Sequence, residues 1–196
     1  AALAAGRTGA RVILADENAL FGGDILSTTE TIDSLQAKEW ADIAVEELNS
    51  LPNITLLPRT TVFGYYDHNH LAALERVTDH MAIAPDNLPR QRLWTFRAKE
   101  VVLATGSIER SMVFRDNDRP GTMLSGAANA YLMQYGVKVG KRAVLFTSND
   151  AAYRSALSLA EAGVEVSVLD TRPETAGPLP QEAIEQGINV RHEQAV

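Results

Sequence analysis

RVILADENALFGG, residues 11–23, is the stretch on which the fold turns. Val12 to Ala15 is a short apolar run, too brief for a helix, and unbroken apolar character marks a strand covered on both faces in a parallel sheet. Upstream, ALAAGRTGA reads as the end of a helix packed with small residues and turned by Gly9. Downstream come two acids, Asp16 and Glu17, and then the pair Gly22-Gly23. Helix, turn, buried strand and terminal acid form the ribose-facing half of a dinucleotide-binding βαβ unit, where carboxylates accept hydrogen bonds from ribose hydroxyls. In that unit the acid lies about 20 residues beyond a Gly-rich turn. Counting back from Asp16 overshoots Ala1, so a G-x-G-x-x-G turn is expected upstream of the chain. Acids also end strands simply because that end meets water, so spacing alone leaves both readings open.

Working outward, residues 31–53 (TIDSLQAKEWADIAVEELNSLPN) have near-helical spacing of Ile32, Leu35, Ile43, Val45, Leu48 and Leu51, with Pro52 as the stop. ITLLPRTTVFGYY gives one or two short strands interrupted at Pro58 and Gly64. From Tyr65 to about Arg97 the pattern becomes antiparallel, with LAALERVTDHMAIA and RQRLWTFRA joined by the turn-rich PDNLP. KEVVLATGSIER then reads as a returning central parallel strand that ends in small residues. SGAANAYLMQYG is expected to be a helix closed by Gly136. KRAVLFTSNDAAYRSALSLAEAGVEVSVLDTRPE is a second strand–helix–strand unit, followed by a short helix, PLPQEAIEQG, and a strand, INVRHE. The fold class is therefore α/β: an FAD/NAD(P)-binding Rossmann-like parallel sheet with an inserted antiparallel β-meander, followed by a second βαβ unit. Residues 1–125 are expected to form the first domain and 126–196 the second.

Composition narrows the function. The chain has 196 residues, 45% hydrophobic and 22% charged, with a net charge of −7. That balance argues against nucleic-acid or anionic-membrane binding, which need clustered Lys and Arg. There is no apolar run of the roughly 20 residues needed to cross a bilayer. With no cysteine, this segment holds no disulfide, thiolate nucleophile or Cys-ligated metal. Redox chemistry would have to come from a bound organic cofactor.

Several constellations carry or lack chemistry. Gly22 and Gly23 permit close backbone approach to a ligand. Ala104, Thr105 and Gly106 end an apolar run with minimal side chains, at the sheet edge where α/β proteins bind ligands. The turn of the second unit has Thr147, Ser148, Asn149, Asp150 and Ala151 where a fingerprint would place glycines. Asp150 would put a negative charge where a pyrophosphate otherwise sits, so Asp150 or Asn149 reads as the helix N-cap. Asp67, His68 and His70 read as a polar turn rather than a metal site. Arg110, Arg119 and Arg172 could meet anions, although ion pairing is their ordinary role. No catalytic residue stands out.

The ordered set ATGSIER, NDRPGTML and FTSNDAAYR, with the acid-ended strand and GG before it, resembles the α subunit of the heterotetrameric bacterial sarcosine oxidases over nearly the whole chain. It is more broadly similar to the two-dinucleotide-binding-domain flavoproteins, opine oxidase and hydrogen cyanide synthase among them. The resemblance implies a cytoplasmic hetero-oligomer that oxidatively demethylates sarcosine to glycine, with hydrogen peroxide and formaldehyde or methylene-tetrahydrofolate as the other products. It also implies NAD held in this segment, with FAD and FMN elsewhere in the complex. The residues themselves leave NAD and FAD open at this site, and leave as alternatives an FAD-dependent pyridine-nucleotide oxidoreductase, a related amine or opine oxidase subunit, and a non-catalytic assembly scaffold. Sarcosine and tetrahydrofolate would be ligands of the whole assembly and the other subunits its partners. Asp16 and Glu17 match the ribose-facing acids, Gly22 and Gly23 the loop beside the nucleotide, and Ala104, Thr105 and Gly106 the sheet-edge motif. Thr61 and Val62 complete the expected cofactor-binding set. The segment alone is expected to be inactive and poorly stable.

Overall fold

The computed structural model describes residues 1–173 and 177–194. The chain divides into two compact units, one of residues 1–25 and 31–106, the other of residues 26–30 and 107–196.

The first unit opens with α1 (Ala2–Arg7), which turns at Gly9 and leads into β1 (Val12–Ala15). Residues 31–36, expected as helix, instead make a hairpin of β2 (Thr31–Ile32) and β3 (Leu35–Gln36). Asp33 and Ser34 turn it with positive φ of 50° and 69°, a two-residue geometry that matches strand twist. The Trp40 indole N–H donates to Asp33 Oδ2 at 3.2 Å and ties that turn to the helix that follows. α2 (Ala37–Ser50) buries Ala37, Ala41 and Leu48 and leaves Ile43 exposed. β4 (Ile54–Leu57) pairs in parallel with β1, Val12 opposite Ile54 and Ala15 opposite Leu57.

The antiparallel sheet begins at Thr60 rather than Tyr65. β5 (Thr60–Tyr66), β6 (His70–Arg76) and β7 (Gln91–Arg97) follow in that spatial order. Gly64 does not interrupt β5, because the strand absorbs it at a register shift between Val62 and Gly64. A bulge of this kind bends a strand without ending it. The second strand stops at Arg76, well before the expected Ala84, and Asp67, His68 and Asn69 form the tight turn between β5 and β6. Residues 98–114 form no strand, contrary to the parallel strand expected at 99–110. A strand needs a neighbour for its backbone groups, and none of the described strands pairs with this segment. Val102 and Leu103 are accordingly 70% exposed each.

The second unit carries α3 (Ser125–Tyr135), closed by Gly136 at φ 65° as expected. Next come β8 (Arg142–Thr147), α4 (Ala151–Glu161), β9 (Glu165–Asp170), α5 (Pro178–Glu185) and β10 (Asn189–Arg191). The three strands form one parallel sheet in the order β10-β9-β8. Its core packs Tyr153, Ala156 and Leu159 of α4 with Val166 and Val168 of β9, Ala183 of α5 and Ile188. The expected strand–helix–strand unit is present, apart from Glu174, which lies outside the described residues.

Candidate functional site

The acid at the end of β1 is held from several sides. Asp16 N–H donates to Leu57 O at 3.1 Å, and Thr60 N–H donates to Asp16 O at 2.7 Å, so the backbone there is clamped between β1, β4 and the start of β5. Asp16 Oδ1 accepts from Asn18 N–H at 2.8 Å and from the Asn18 side-chain amide at 3.1 Å. This Asx-type turn fixes the carboxylate, and Oδ2 accepts no hydrogen bond among the described residues. Glu17 is exposed beside it. The arrangement presents one oriented and one exposed carboxylate at the carboxyl edge of a parallel sheet. Paired hydroxyls are the groups such a pair recognises.

Sequence reasoning missed the supports. Arg59 N–H donates to Asn18 O at 2.8 Å, and Arg76 N–H donates to Arg59 O at 3.0 Å. The Arg76 guanidinium donates to Glu17 O at 2.7 Å. Asn18, Arg59 and Arg76 thus hold the loop that carries both acids. The turn signal at Pro58 marked the place, but nothing local in the sequence joins Arg76 to Glu17. Around them lies a pocket of about 240 Å³ lined by Glu17, Asn18, Ala19, Arg59, Arg76, Asp79 and His80. Asp79 is held below the usual carboxylate range by hydrogen bonds from Gln91 and then Arg90.

The other expected positions fall unevenly. Thr61 and Val62 follow Thr60 on β5, both exposed, and that strand joins the Asp16 backbone through Thr60. Gly22 and Gly23 have φ of 135° and 59°, and a Cβ at Gly23 would meet open space. At Gly23 the conformation, rather than crowding, calls for glycine. Ala104, Thr105 and Gly106 lie in the unpaired segment, with Gly106 at φ 65°, and no hydrogen bond among the described residues ties them to Asp16. Among the described residues no group of three His, Cys, Asp or Glu side chains could hold a metal ion.

In the second unit the counterpart of Asp16 is Asp170, at the end of β9. Its side chain is fully buried and fully engaged. It accepts from Tyr153 OH at 2.9 Å, from Arg172 N–H at 2.9 Å, and from Arg172 Nε at 3.0 Å and Nη2 at 2.7 Å. Burial pushes this carboxyl up, but the bonds from Arg172 and Tyr153 outweigh it and hold the group below its ordinary value. Arg172 Nη2 also lies 2.9 Å from Asp150 Oδ1. Arg172 is therefore an ion-pair residue within this unit. Asp150 occupies the N-cap position of α4 without a side-chain cap bond, and Asn149 Oδ1 accepts from Ala151 N–H at 2.9 Å. The capping bond belongs to Asn149, and Asp150 is engaged with Arg172.

No family model matches the chain. Curated homologues 42–50% identical over most of it carry the name of the sarcosine oxidase alpha subunit. The protein of that name from Rhizobium meliloti (strain 1021) is 50% identical over 174 residues, 88% of this chain and 18% of the relative. That from Corynebacterium sp. (strain P-1) is 44% identical over 192 residues, 97% of this chain and 20% of the relative. An opine oxidase subunit from Agrobacterium tumefaciens (strain Ach5) is 31% identical over 177 residues, covering 87% of this chain and 34% of the relative. The chain thus spans about a fifth of the length of the sarcosine oxidase relatives it matches. Among solved structures, T. acidophilum thioredoxin reductase aligns with a TM-score of 0.68 at 16% identity, over 97% of this chain and 59% of that one. L-proline dehydrogenase from P. horikoshii aligns with a TM-score of 0.64 at 22% identity, over 85% and 32%. The fold is that of the FAD/NAD(P)-binding oxidoreductases.

Proposed function

We propose that this chain is part of the α subunit of a sarcosine oxidase-like complex, cytoplasmic and hetero-oligomeric, which oxidatively demethylates sarcosine to glycine. Its own part is to hold a dinucleotide, NAD, tightly and without turnover. In this reading residues 1–125 make the dinucleotide-binding domain and 126–196 a second, Rossmann-like domain. FAD and FMN supply the redox chemistry elsewhere in the complex, where sarcosine and tetrahydrofolate bind. The observation that carries the reading is Asp16, clamped at the carboxyl end of β1 with one carboxylate oxygen spent on Asn18 and the other open. Homologues named as sarcosine oxidase subunits, up to 50% identical, support it.

The residues present fit such a ligand. Asp16 and Glu17 would take the ribose hydroxyls, and Gly22 and Gly23 would admit the nucleotide to the loop. Thr61, Val62, Ala104, Thr105 and Gly106 would border it. An exchangeable pyridine nucleotide in the second unit is disfavoured, because Asp170 is engaged by Tyr153 and Arg172 and Asp150 stands at the α4 N-terminus. Denaturing the full-length protein and analysing the supernatant by mass spectrometry tests the proposal. One NAD for each copy of the full-length chain is expected, and NADH should fail to drive turnover. Asp16→Ala should release the nucleotide. Retention of NAD by that variant, or rapid flavin bleaching by NADH, would refute the reading.

A further inference from the structure

We propose that Arg59 is the base-stacking residue of the dinucleotide site, its guanidinium lying against the adenine ring in the pocket beside Asp16. The proposal rests on the dinucleotide reading above.

Arg59 sits at φ 52°, a left-handed conformation that is costly for an ordinary residue and nearly free for glycine. Its backbone is held on both sides, by Asn18 O and by Arg76 N–H, so the root of the side chain is anchored. A long cationic side chain at a position that glycine would fill at lower cost points to a use for that side chain. The guanidinium forms no hydrogen bond or ion pair among the described residues. Of the two acids lining the same pocket, Asp79 is occupied, its oxygens accepting from Arg90 Nε at 2.9 Å and from Gln91 Nε2 at 2.5 Å, and Glu17 forms no ion pair with Arg59 among the described residues.

Topology identifies the ligand. In a dinucleotide unit the phosphates lie at the N-terminus of the helix preceding the acid-ended strand, and ribose meets the acid. The base then continues to the far side of that strand. Here the neighbour on that side is β4, and Arg59 lies two residues beyond its end. The recess is open to solvent on one side and, at about 240 Å³, is smaller than the roughly 300 Å³ and more of pockets that enclose whole drug-sized ligands, with room for one ring system. A guanidinium plane stacks well on an aromatic ring. A 2′-phosphate would instead be set against Asp16 and Glu17, two carboxylates that repel it, so the neutral purine is the better occupant.

The test uses the full-length protein freed of its nucleotide and titrated calorimetrically with ADP-ribose. Arg59→Gly should melt no lower than wild type, since it relieves the backbone, yet bind ADP-ribose about tenfold more weakly. Arg59→Lys, which keeps the charge but loses the plane, should be weakened similarly. Unchanged affinity in Arg59→Gly, or full affinity in Arg59→Lys, overturns the proposal while leaving the dinucleotide site standing. So does tighter binding of 2′-phospho-ADP-ribose than of ADP-ribose by the wild type. Failure of the wild type to bind ADP-ribose at all overturns the site itself, and this inference with it.

Discussion

Asp16 and Asp170 end equivalent strands and lead opposite lives. Asp16 keeps an oxygen open, whereas Asp170 is buried with every direction filled. That difference predicts separate consequences for substitution. Tyr153→Phe removes one donor to a buried carboxylate and should cost about 1–2 kcal/mol in urea unfolding, with the fold kept. The pH dependence follows from the depressed folded value of Asp170. A group whose folded value lies below its unfolded one, about 3.9 for Asp, stabilises fully above that unfolded value. The stabilisation is lost as pH falls through the folded value, because protonation breaks the pairing with Arg172. Urea midpoints measured from neutral into strongly acid buffer should therefore decline in the acid range for wild type. Asp170→Asn should start lower at neutral pH and show a flatter decline. A parallel decline in the two proteins would mean that Asp170 is not the titrating group.

At the scale of elements, close packing between α1 and β4 depends on a glycine. A Cβ at Gly6 would collide with Ile54 Cδ1 and crowd Leu51 Cδ1 at 3.3 Å. Gly6→Ala should gain helix propensity and still lose stability by about 1–3 kcal/mol through overpacking. Gly6→Ala with Ile54→Val should recover part of that loss in the same unfolding assay. The strands β1 and β4, and the run β8–α4–β9 with α5 and β10 after it, were legible from apolar runs and glycine turns, since those signals are local. The helix expected from Thr31 failed because Asp33 and Ser34 adopt a left-handed turn; both are turn-favouring types, but the apolar spacing around them reads as helical. The strand expected at 99–110 failed for another reason: its apolar run names a strand, but pairing needs a neighbour that periodicity does not supply. The site divides in the same way. Asp16, Glu17 and the glycine pair stood out as candidates by their spacing along the chain. Asn18, Arg59 and Arg76 were not, because their roles arise from a turn conformation and a hydrogen bond between Arg76 and Glu17.

For the molecule as a whole, the telling feature is the apolar side chains that the chain leaves uncovered along one continuous segment. Val102 and Leu103 are 70% exposed, Ile108 91% and Val113 92%. Single exposed apolar residues are ordinary, but a run of them in a segment with unpaired backbone is a template for association. Residues 1–196 produced alone should therefore self-associate and melt broadly at low temperature, as seen by light scattering after gel filtration and by calorimetry. Replacing Val102 with Lys and Ile108 with Glu should shift the chain toward monomer, because a charge in the exposed apolar run opposes its burial against another copy. The same pair in the full-length protein should be destabilising if other parts of that protein cover the segment, since a charge is then buried without a partner. A sharp, high-temperature melt of a monomeric 196-residue chain would show instead that the segment needs no cover.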